Sequence, residues 1–445
     1  MFRRALSLLA MTVVVPGSAQ LVAGRRSAGL VAVRVWLTLV GLTGVVALAG
    51  LVDHGVLLGL ATDPRALLAL RLLLIAVALG WVLLLLDAWR LGDPLSLPQR
   101  RRLAVAGVST ALVGVLSSLL LFSAHVVAVQ RDFIESVFGS GPVADAAAGR
   151  YNVLLLGGDS GGGDRWGLRP DSITLASIDE DSGRTVLFGL PRNLEAVPFP
   201  EGTPMRDAFP EGFDCAGCYL NGVYTYALDH PELFPGESNP GLAATRQAVE
   251  AVTGLDVHYY AMVNLRGFRD LVDAVGGVTL DVKETVAIGG GAGEVTGEIE
   301  PGRQHLDGFE TLWYARSREY DDDYSRMARQ KCVLNAMLHQ LSPQRVLLNV
   351  QEIAHASEQL LSTDIPATEL DRFVELALRT RTQPMTTVSF VPPLVDTGDP
   401  DWELIRERVD EAIAKAEGAA DPAPARPGGK PGAGSGGGPA MAQSC

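Results

Sequence analysis

The chain has 445 residues, 47% of them hydrophobic, and a formal net charge of −14. It is long enough for two or more domains and too apolar for a single soluble domain. Residues 1–131 hold 12 Arg against 4 Asp, whereas residues 132–445 hold 25 Lys and Arg against 47 Asp and Glu, and this acidic part excludes general nucleic-acid binding, which needs surplus positive charge.

Three apolar runs near the amino terminus are each long enough to cross a bilayer. They cover residues 28–52, 66–87 and 103–125, and we interpret residues 1–130 as a multi-pass membrane region. Residues 6–22 are also apolar, but Pro16-Gly17-Ser18 interrupts them and arginines flank them on both sides. That pattern favours a re-entrant or interfacial hairpin over a fourth span.

The loop between the second and third runs indicates how the region is oriented. It carries Arg90 and the run Arg100-Arg101-Arg102, and loops rich in arginine face the cytoplasm. The amino terminus is then also cytoplasmic. Everything after about residue 130 is predicted to be extracytoplasmic, on a protein of the cell membrane.

A compact domain is predicted at residues 151–418, after a linker at 131–150 and before a disordered Pro/Gly/Ala tail at 419–445. Within it, apolar strand-like runs alternate with helical ones, which favours an α/β fold with helices on both faces of a sheet. Pairing of Ile173–Ile178 with Thr185–Leu190 would make the sheet mixed. The predicted strands are Asn152–Leu156, Ser172–Ile178, Thr185–Leu190, Tyr259–Asn264 and Val278–Val282, and the predicted helices are Ala243–Thr253 and Leu265–Val275.

Charged residues mark the ends of the first three predicted strands. Asp159 ends the first strand after Gly157-Gly158, Asp171 opens the second after a glycine-rich loop, and Arg192 follows the third. Two carboxylates and a guanidinium therefore sit at strand ends, where side chains of neighbouring strands can meet.

A second charged cluster, GFETLWYARSREYDDDYSRMARQ, covers residues 308–330. Arg316 and Arg318 share a face only if the backbone is extended, whereas Arg326, Arg329 and Gln330 have the spacing of one helical face. Arginine binds phosphate oxygens with two parallel N–H groups and stays charged at any working pH. The alternative is a solvated helix start, whose aspartates pair with the arginines. Those aspartates are Asp321, Asp322 and Asp323.

Several motifs in a fixed order resemble the LytR-CpsA-Psr family, over roughly residues 151–340. They are LLLGGD, LRPD, GLPR, LVDAVGGV, LDGFETLWYARSR and RMARQ. The resemblance implies a three-layer α/β/α domain outside the membrane. It also implies an enzyme, a phosphotransferase that moves a glycopolymer, such as wall teichoic acid or arabinogalactan, from a polyprenyl-pyrophosphate carrier onto peptidoglycan. The membrane, the lipid-linked glycopolymer and peptidoglycan are the implied partners.

Carried over by motif, the resemblance assigns Asp159 and Asp171 to Mg²⁺, the implied cofactor. Magnesium is usually held by one or two carboxylates plus phosphates and water. Asp171, Arg169 and Arg192 are the implied catalytic residues. The implied pyrophosphate-binding set is Arg169, Arg192, Arg316, Arg318, Arg326, Arg329 and Gln330.

Two positions depart from the family pattern. The family usually has an arginine shortly after the first aspartate, where this chain has Ser160 and three glycines, with Arg165 as the nearest substitute. It also usually has Pro-Arg-Asp, where this chain has Asn193, and an amide cannot act as a base. Activity therefore depends on whether the missing carboxylate only orients Arg192. The alternatives are a non-catalytic polyprenyl-pyrophosphate or glycan-binding module, and a lipid pyrophosphatase.

The four cysteines add a structural prediction. Cys215 and Cys218 form a C-x-x-C motif, which outside the membrane favours a small loop disulfide, because no second such pair or paired histidines complete a zinc site. Cys332 is predicted to be a buried side chain of the helix after Gln330. Cys445 ends the tail and has no evident partner in the sequence.

Overall fold

The computed structural model describes residues 2–52, 54–138, 143–159, 169–291, 293–340 and 361–418. The chain divides into two compact units, Met1–Glu135 and Ser136–Cys445. The predicted tail, with Cys445, lies outside the described residues, as does the glycine-rich loop that holds Ser160 and Arg165.

The first unit is built from helices. Three segments of its described residues are long and apolar enough to cross a membrane, by length and composition, and they are Arg26–Val52, Pro64–Ser96 and Gln99–Val137. Each contains one of the predicted apolar runs. The helices of this region are α1 (Phe2–Val14), α2 (Ser18–Val22), α3 (Arg26–Val52), α4 (His54–Thr62), α5 (Pro64–Leu91) and α6 (Gln99–Val137).

The segment predicted to form a hairpin, residues 6–22, includes most of α1 and all of α2, which are joined by a turn at Gly17 with a φ of 96°. Leu8 and Leu9 of α1 are buried in one cluster with Leu85 of α5. At 1.5 Å per residue, α1 is about 20 Å long, shorter than the roughly 30 Å hydrocarbon core of a bilayer. A helical hairpin packed along α5 is therefore what this segment forms.

A six-stranded mixed sheet lies at the centre of the second unit, in the order β10-β3-β2-β1-β4-β9. Strand β1 is parallel to β4 and β3 is parallel to β10, whereas β2 is antiparallel to both of its neighbours. The predicted pairing is confirmed, with Ile173 opposite Leu190 and Ile178 opposite Thr185. The strands of the sheet are β1 (Arg150–Asp159), β2 (Arg169–Asp179), β3 (Thr185–Leu190), β4 (Tyr259–Asn264), β9 (Leu361–Thr363) and β10 (Thr386–Ser389).

Helices cover both faces of this sheet, which confirms the three-layer α/β/α fold. Leu154 and its neighbours on one face pack against Val249 of α9 and Val409 of α14. Leu187 on the other face packs against Leu334 of α12. The alternation of the side chains along each strand produces these two apolar surfaces. The helices are α7 (Pro204–Ala208), α8 (Leu220–Asp229), α9 (Pro240–Thr253), α10 (Leu265–Ala274), α11 (Gly308–Arg316), α12 (Asp323–Gln340), α13 (Leu370–Thr380) and α14 (Trp402–Gly418).

One predicted strand belongs elsewhere. Val278–Val282 does form a strand, β5, but it pairs with β8 (Gly302–Leu306) in a separate two-stranded sheet. Strands β6 (Val286–Gly289) and β7 (Val295–Ile299) form a second small sheet. The apolar residues of β5 pack against α11 and α12 and form part of a second hydrophobic cluster. The strand is therefore buried without joining the central sheet.

Helix α12 carries a buried lysine where it crosses the sheet. Lys331 is only 6% exposed, and its ammonium donates a hydrogen bond to Ser389 of β10. A methyl group at Gly189 of β3 would lie 2.7 Å from Nζ, so the glycine of the GLPR motif leaves room for this group. Burial lowers the pKa of Lys331 to about 8, because the charged form loses hydration.

We expect Lys331→Met to stabilise the full-length protein at pH 7. A folded-state pKa of about 8 against 10.5 means that the charged form costs roughly 3 kcal/mol in the folded protein, a cost fully present below pH 8 and absent above about pH 10.5. The difference in thermal unfolding between variant and parent should therefore shrink as pH rises through that window. The exposed Lys415→Met is the control, and equal effects of the two substitutions would contradict the assignment.

Candidate active site

The ends of three strands meet at one edge of the central sheet. Asp159 ends β1, Arg192 follows β3 after Pro191, and Asp171 lies near the start of β2. Gly157 pairs with Ser172 and Gly158 with Pro170, so Asp171 is the extra residue of a β-bulge. Bulges redirect side chains at strand ends, which is how Asp171 reaches its partners.

Arg192 is held by two carboxylates. Its Nη1 donates to Asp171 Oδ1 at 2.7 Å, and its Nε lies 3.4 Å from Asp323 Oδ1. Asn221 of α8 makes a hydrogen bond to each member of this ion pair. Its side-chain amide donates to Asp171 Oδ1 at 3.2 Å, and its backbone N–H donates to the Arg192 carbonyl at 3.1 Å. Both ends of this ion pair are therefore fixed by protein groups.

Asp323, the first residue of α12, is the meeting point of three arginines. Arg318 and Arg326 donate to its carboxylate at 3.3 and 3.0 Å, alongside Arg192. Arg326 also donates to the backbone carbonyl of Asp171 at 3.0 Å. We call these five residues, Asp171, Arg192, Arg318, Asp323 and Arg326, the arginine cluster.

The positive charges of Arg192 and Arg326 keep the Asp171 carboxylate ionised. Burial on its own would raise the pKa of Asp171, but the hydrogen bond and charge of Arg192, the charge of Arg326 and the Asn221 amide together lower it below its usual value. Burial opposes the charge of Arg192 too, and the contact with Asp171 nevertheless raises its pKa. Asp171 is therefore an anion at neutral pH, able to hold a cation and unsuited to act as a general base.

Two residues of the predicted pyrophosphate set point elsewhere. Arg329 donates from Nε to the Tyr314 carbonyl at 2.7 Å, and it also bonds the Ser317 carbonyl and Asp321. Gln330 donates to the Ala315 carbonyl at 3.1 Å. These carbonyls belong to the last turn and the cap of α11 and lack partners within the helix. Arg329 and Gln330 therefore position the segment that carries Arg316 and Arg318.

Arg316 and Arg169 make no described contact with the residues of the arginine cluster. Arg316 stacks over the ring of Trp313, with 4.9 Å between the guanidinium carbon and the ring centroid. Arg169 is exposed, and its backbone pairs with that of Asp159 across β1 and β2. The side chain of Asp159 is not among those that the structure describes.

The side chain of Asn193, where the family usually has aspartate, makes no described hydrogen bond to Arg192 or Asp171. Its amide nitrogen donates to Thr397 Oγ1 at 3.1 Å, and its Oδ1 is buried without a described hydrogen-bond donor. The orientation of Arg192 thus comes from Asp171 and Asp323.

The residues at this edge fit a magnesium ion. The described hydrogen bonds to the Asp171 carboxylate all reach Oδ1, so Oδ2 has no described protein donor, and the side chain is 30% exposed. Within the described ranges no group of three or more His, Cys, Asp and Glu side chains forms a metal site. One or two carboxylates completed by phosphate and water is the usual arrangement for magnesium.

The three described cysteines are not part of the arginine cluster. A disulfide joins Cys215 and Cys218 in the loop before α8. Cys332 is buried in α12.

Asp323 and Asn221 are the site residues that motif spacing does not single out. Asp323 stands in a run of three aspartates, and only the geometry separates it from Asp321, which pairs with Arg329, and Asp322, whose carboxylate accepts from the Ser325 N–H. Asn221 has one sequence signal, a polar residue at the start of an apolar helix. Its position after the disulfide loop gives no indication of a site role.

Comparison with known proteins gives a consistent family match. Residues 127–393 match the model of the LytR_cpsA_psr family. A polyisoprenyl-teichoic acid–peptidoglycan teichoic acid transferase TagU of Oceanobacillus iheyensis is 28% identical over 49% of this chain, and TagV of Bacillus subtilis is 31% identical over 51%. The matches span 60% and 53% of those relatives. The crystal structure of B. subtilis TagV superposes with a TM-score of 0.43 at 22% identity, covering 60% of this chain and 97% of that one.

Proposed function

This chain belongs to the LytR-CpsA-Psr family, and on that premise we propose that it is a membrane-anchored phosphotransferase that moves a glycopolymer from a polyprenyl-pyrophosphate carrier onto peptidoglycan. The observation that carries the proposal is the convergence of Arg192, Arg318 and Arg326 beside Asp171. Three guanidiniums directed at one point are suited to an anion with several oxygens, such as a pyrophosphate.

The arginines are aligned before any substrate binds. Asp323 contacts all three at once, which keeps the guanidiniums close together, and each guanidinium has further N–H groups that a phosphate could share. Arg326 adds a buried Nε–H that has no described acceptor, which a phosphate oxygen would satisfy. Preorganised donors of this kind need no rearrangement when charge develops.

In the proposed reaction, a hydroxyl oxygen of peptidoglycan attacks the phosphorus that carries the sugar. The new bond joins that oxygen to phosphorus, the bond between phosphorus and the bridging oxygen breaks, polyprenyl phosphate leaves and the hydroxyl proton passes to water. Charge develops on the leaving phosphate, where Arg192 and Arg326 stabilise it. A magnesium ion held by Asp171 and Asp159 would neutralise part of the same charge.

The function predicts that release of polyprenyl phosphate depends on the acceptor. Full-length protein in detergent, given a synthetic lipid-pyrophosphate donor and Mg²⁺, should release polyprenyl phosphate at a rate that rises with added peptidoglycan fragments. Release at the same rate without fragments would establish the pyrophosphatase alternative. Donor binding with no release under any condition would establish the binding-module alternative.

We expect Asn193→Asp to leave transfer within about threefold of the parent, because Arg192 is already oriented by Asp171 and Asp323. The new carboxylate would be placed beside Thr397, where the amide of Asn193 now donates, and the threonine hydroxyl can donate to it instead. Transfer rates of the two proteins provide the measurement. Transfer that appears only in the aspartate variant would show that the natural chain is a binding module.

The proposed acceptor lies outside the cytoplasm, which makes the orientation of the chain testable. The arginine-rich segment at 99–102 begins α6, and we expect it to face the cytoplasm. A reporter that is active only outside the cytoplasm, fused after Ala420, should therefore be active. Activity of a cytoplasmic reporter at the same position would refute the topology, and a fusion within residues 93–98 is the matched control with the opposite expectation.

A further inference from the structure

One face of α11 presents an aromatic pair and an arginine that the core does not use. Phe309, Trp313 and Arg316 recur at i, i+4 and i+7, so they lie on one side of the helix. Phe309 is 46% exposed, and its ring centroid lies 6.4 Å from that of Trp313 at an interplanar angle of 69°. Thr311, Tyr314 and Ala315 on the opposite side are buried.

Arg316 has no carboxylate partner among the described residues, unlike Arg192, Arg318 and Arg326. Its described contact is the ring of Trp313, at 4.9 Å from the guanidinium carbon. A guanidinium stacked on an aromatic ring keeps its N–H groups, which lie in the guanidinium plane, free to donate to a ligand. Trp313 thus orients a positive charge that no described acid neutralises.

The residues that follow this face in the chain reach the arginine cluster. Arg318, two residues after Arg316, donates to Asp323. Arg329 and Gln330 hold the intervening carbonyls of α11 and Ser317, so the distance between the face and the arginine cluster is fixed. A ligand that has its phosphates at the arginine cluster can extend its next groups along this helix.

We propose that Phe309, Trp313 and Arg316 form a subsite for the sugar that is attached to the donor's pyrophosphate, an inference that rests on the proposed function. The C–H groups on one face of a sugar ring carry partial positive charge and pack against the electron-rich face of an aromatic ring. Arg316, which stacks on Trp313, would donate to hydroxyl oxygens of the same sugar. A bilayer surface suits the face less well, because Asp307 and Glu310 start the same helix and would be repelled by anionic lipids.

The test compares two ligands bound to the full-length protein in detergent. They are a short-chain polyprenyl pyrophosphoryl N-acetylglucosamine and the same polyprenyl pyrophosphate without sugar. Trp313→Leu should weaken binding of the sugar-bearing ligand about tenfold and leave the sugar-free ligand within about twofold, whereas Trp313→Tyr keeps an aromatic ring and should stay within about threefold for both. Phe309→Ala, at an exposed position, should show the same selectivity with a smaller loss.

Unchanged affinity for the sugar-free ligand also shows that each variant is folded. Equal weakening of both ligands by Trp313→Leu, or no change in either, would overturn the inference. Quenching of Trp313 fluorescence by brominated lipids in nanodiscs, measured as the difference between the parent and Trp313→Leu, would place this face at the bilayer and would overturn it as well. Selective binding without any transfer would sustain the subsite and refute the proposed function.

Discussion

Replacing Arg192 by alanine should lower the rate of glycopolymer transfer by on the order of 10²- to 10³-fold, the usual cost of removing one preorganised charge-stabilising donor. Arg192 bonds Asp171 at 2.7 Å and also approaches Asp323, so its guanidinium is fixed beside the position proposed for the leaving phosphate. We expect the loss in kcat, with a smaller change in KM, because the charge develops in the transition state.

A matched control is Arg372→Ala. Arg372 also makes an ion pair, with Glu369, and also donates a hydrogen bond, to the Tyr151 hydroxyl, but it lies on α13, away from the arginine cluster. Its loss should change transfer by less than about threefold. A similar fall for the two variants would show that Arg192 acts through stability alone.

Asp171→Asn should reduce transfer by a similar factor, on the order of 10²- to 10³-fold, and should also raise the Mg²⁺ concentration needed for half-maximal rate. The amide keeps an oxygen for the contacts with Arg192 and Asn221 but removes the negative charge. A neutral oxygen is a weaker magnesium ligand, and Arg192 would keep only Asp323 as its counter-ion. Asp159→Asn is expected to change the magnesium requirement in the same direction.

Asp322→Asn is the control for this substitution. Asp322 precedes α12 and accepts from the Ser325 N–H at 2.8 Å, and asparagine serves as well as aspartate at a helix start. Transfer and magnesium dependence should therefore stay within about twofold. An unchanged magnesium requirement in Asp171→Asn would contradict a metal role for that carboxylate, whatever its effect on the rate.

Much of the central sheet could be predicted because its strands are short apolar runs between turn residues. Thr185–Leu190 and Tyr259–Asn264 match the observed strands from end to end. The pairing of β2 with β3 follows from their closeness in the chain. The separate pairing of Val278–Val282 with β8 could not be predicted, because an apolar strand pattern does not indicate which other strand it will pair with.

Less of the candidate site than of the fold could be predicted from the sequence. Motif order indicated Asp171 and Arg192, which the structure brings to 2.7 Å. Helical spacing could not distinguish an arginine that faces the site, such as Arg326, from Arg329, which holds the end of α11. The roles of Arg326 and Arg329 differ because α11, which precedes α12 in the chain, packs beside the part of α12 that carries Arg329. Spacing within α12 alone does not contain that information.

The aspartates show the same limit. A run of three acids beside arginines is compatible with solvated ion pairs, and two of the three do pair with arginines. Only its position beside Arg192, which follows β3, makes Asp323 the residue that aligns Arg192, Arg318 and Arg326. That contact joins segments that are 131 residues apart in the chain, Arg192 and Asp323, and no local pattern encodes it.

The most direct test of the central claim follows the sugar-linked phosphorus of the donor. A synthetic polyprenyl-pyrophosphate glycan labelled with ³²P at that position is incubated with full-length protein, Mg²⁺ and peptidoglycan fragments, and the products are separated. We predict that the label moves into the peptidoglycan fragments while unlabelled polyprenyl phosphate leaves, and that Arg192→Ala slows this transfer. Label released as a soluble glycan phosphate, or label that stays on the lipid, would contradict the account.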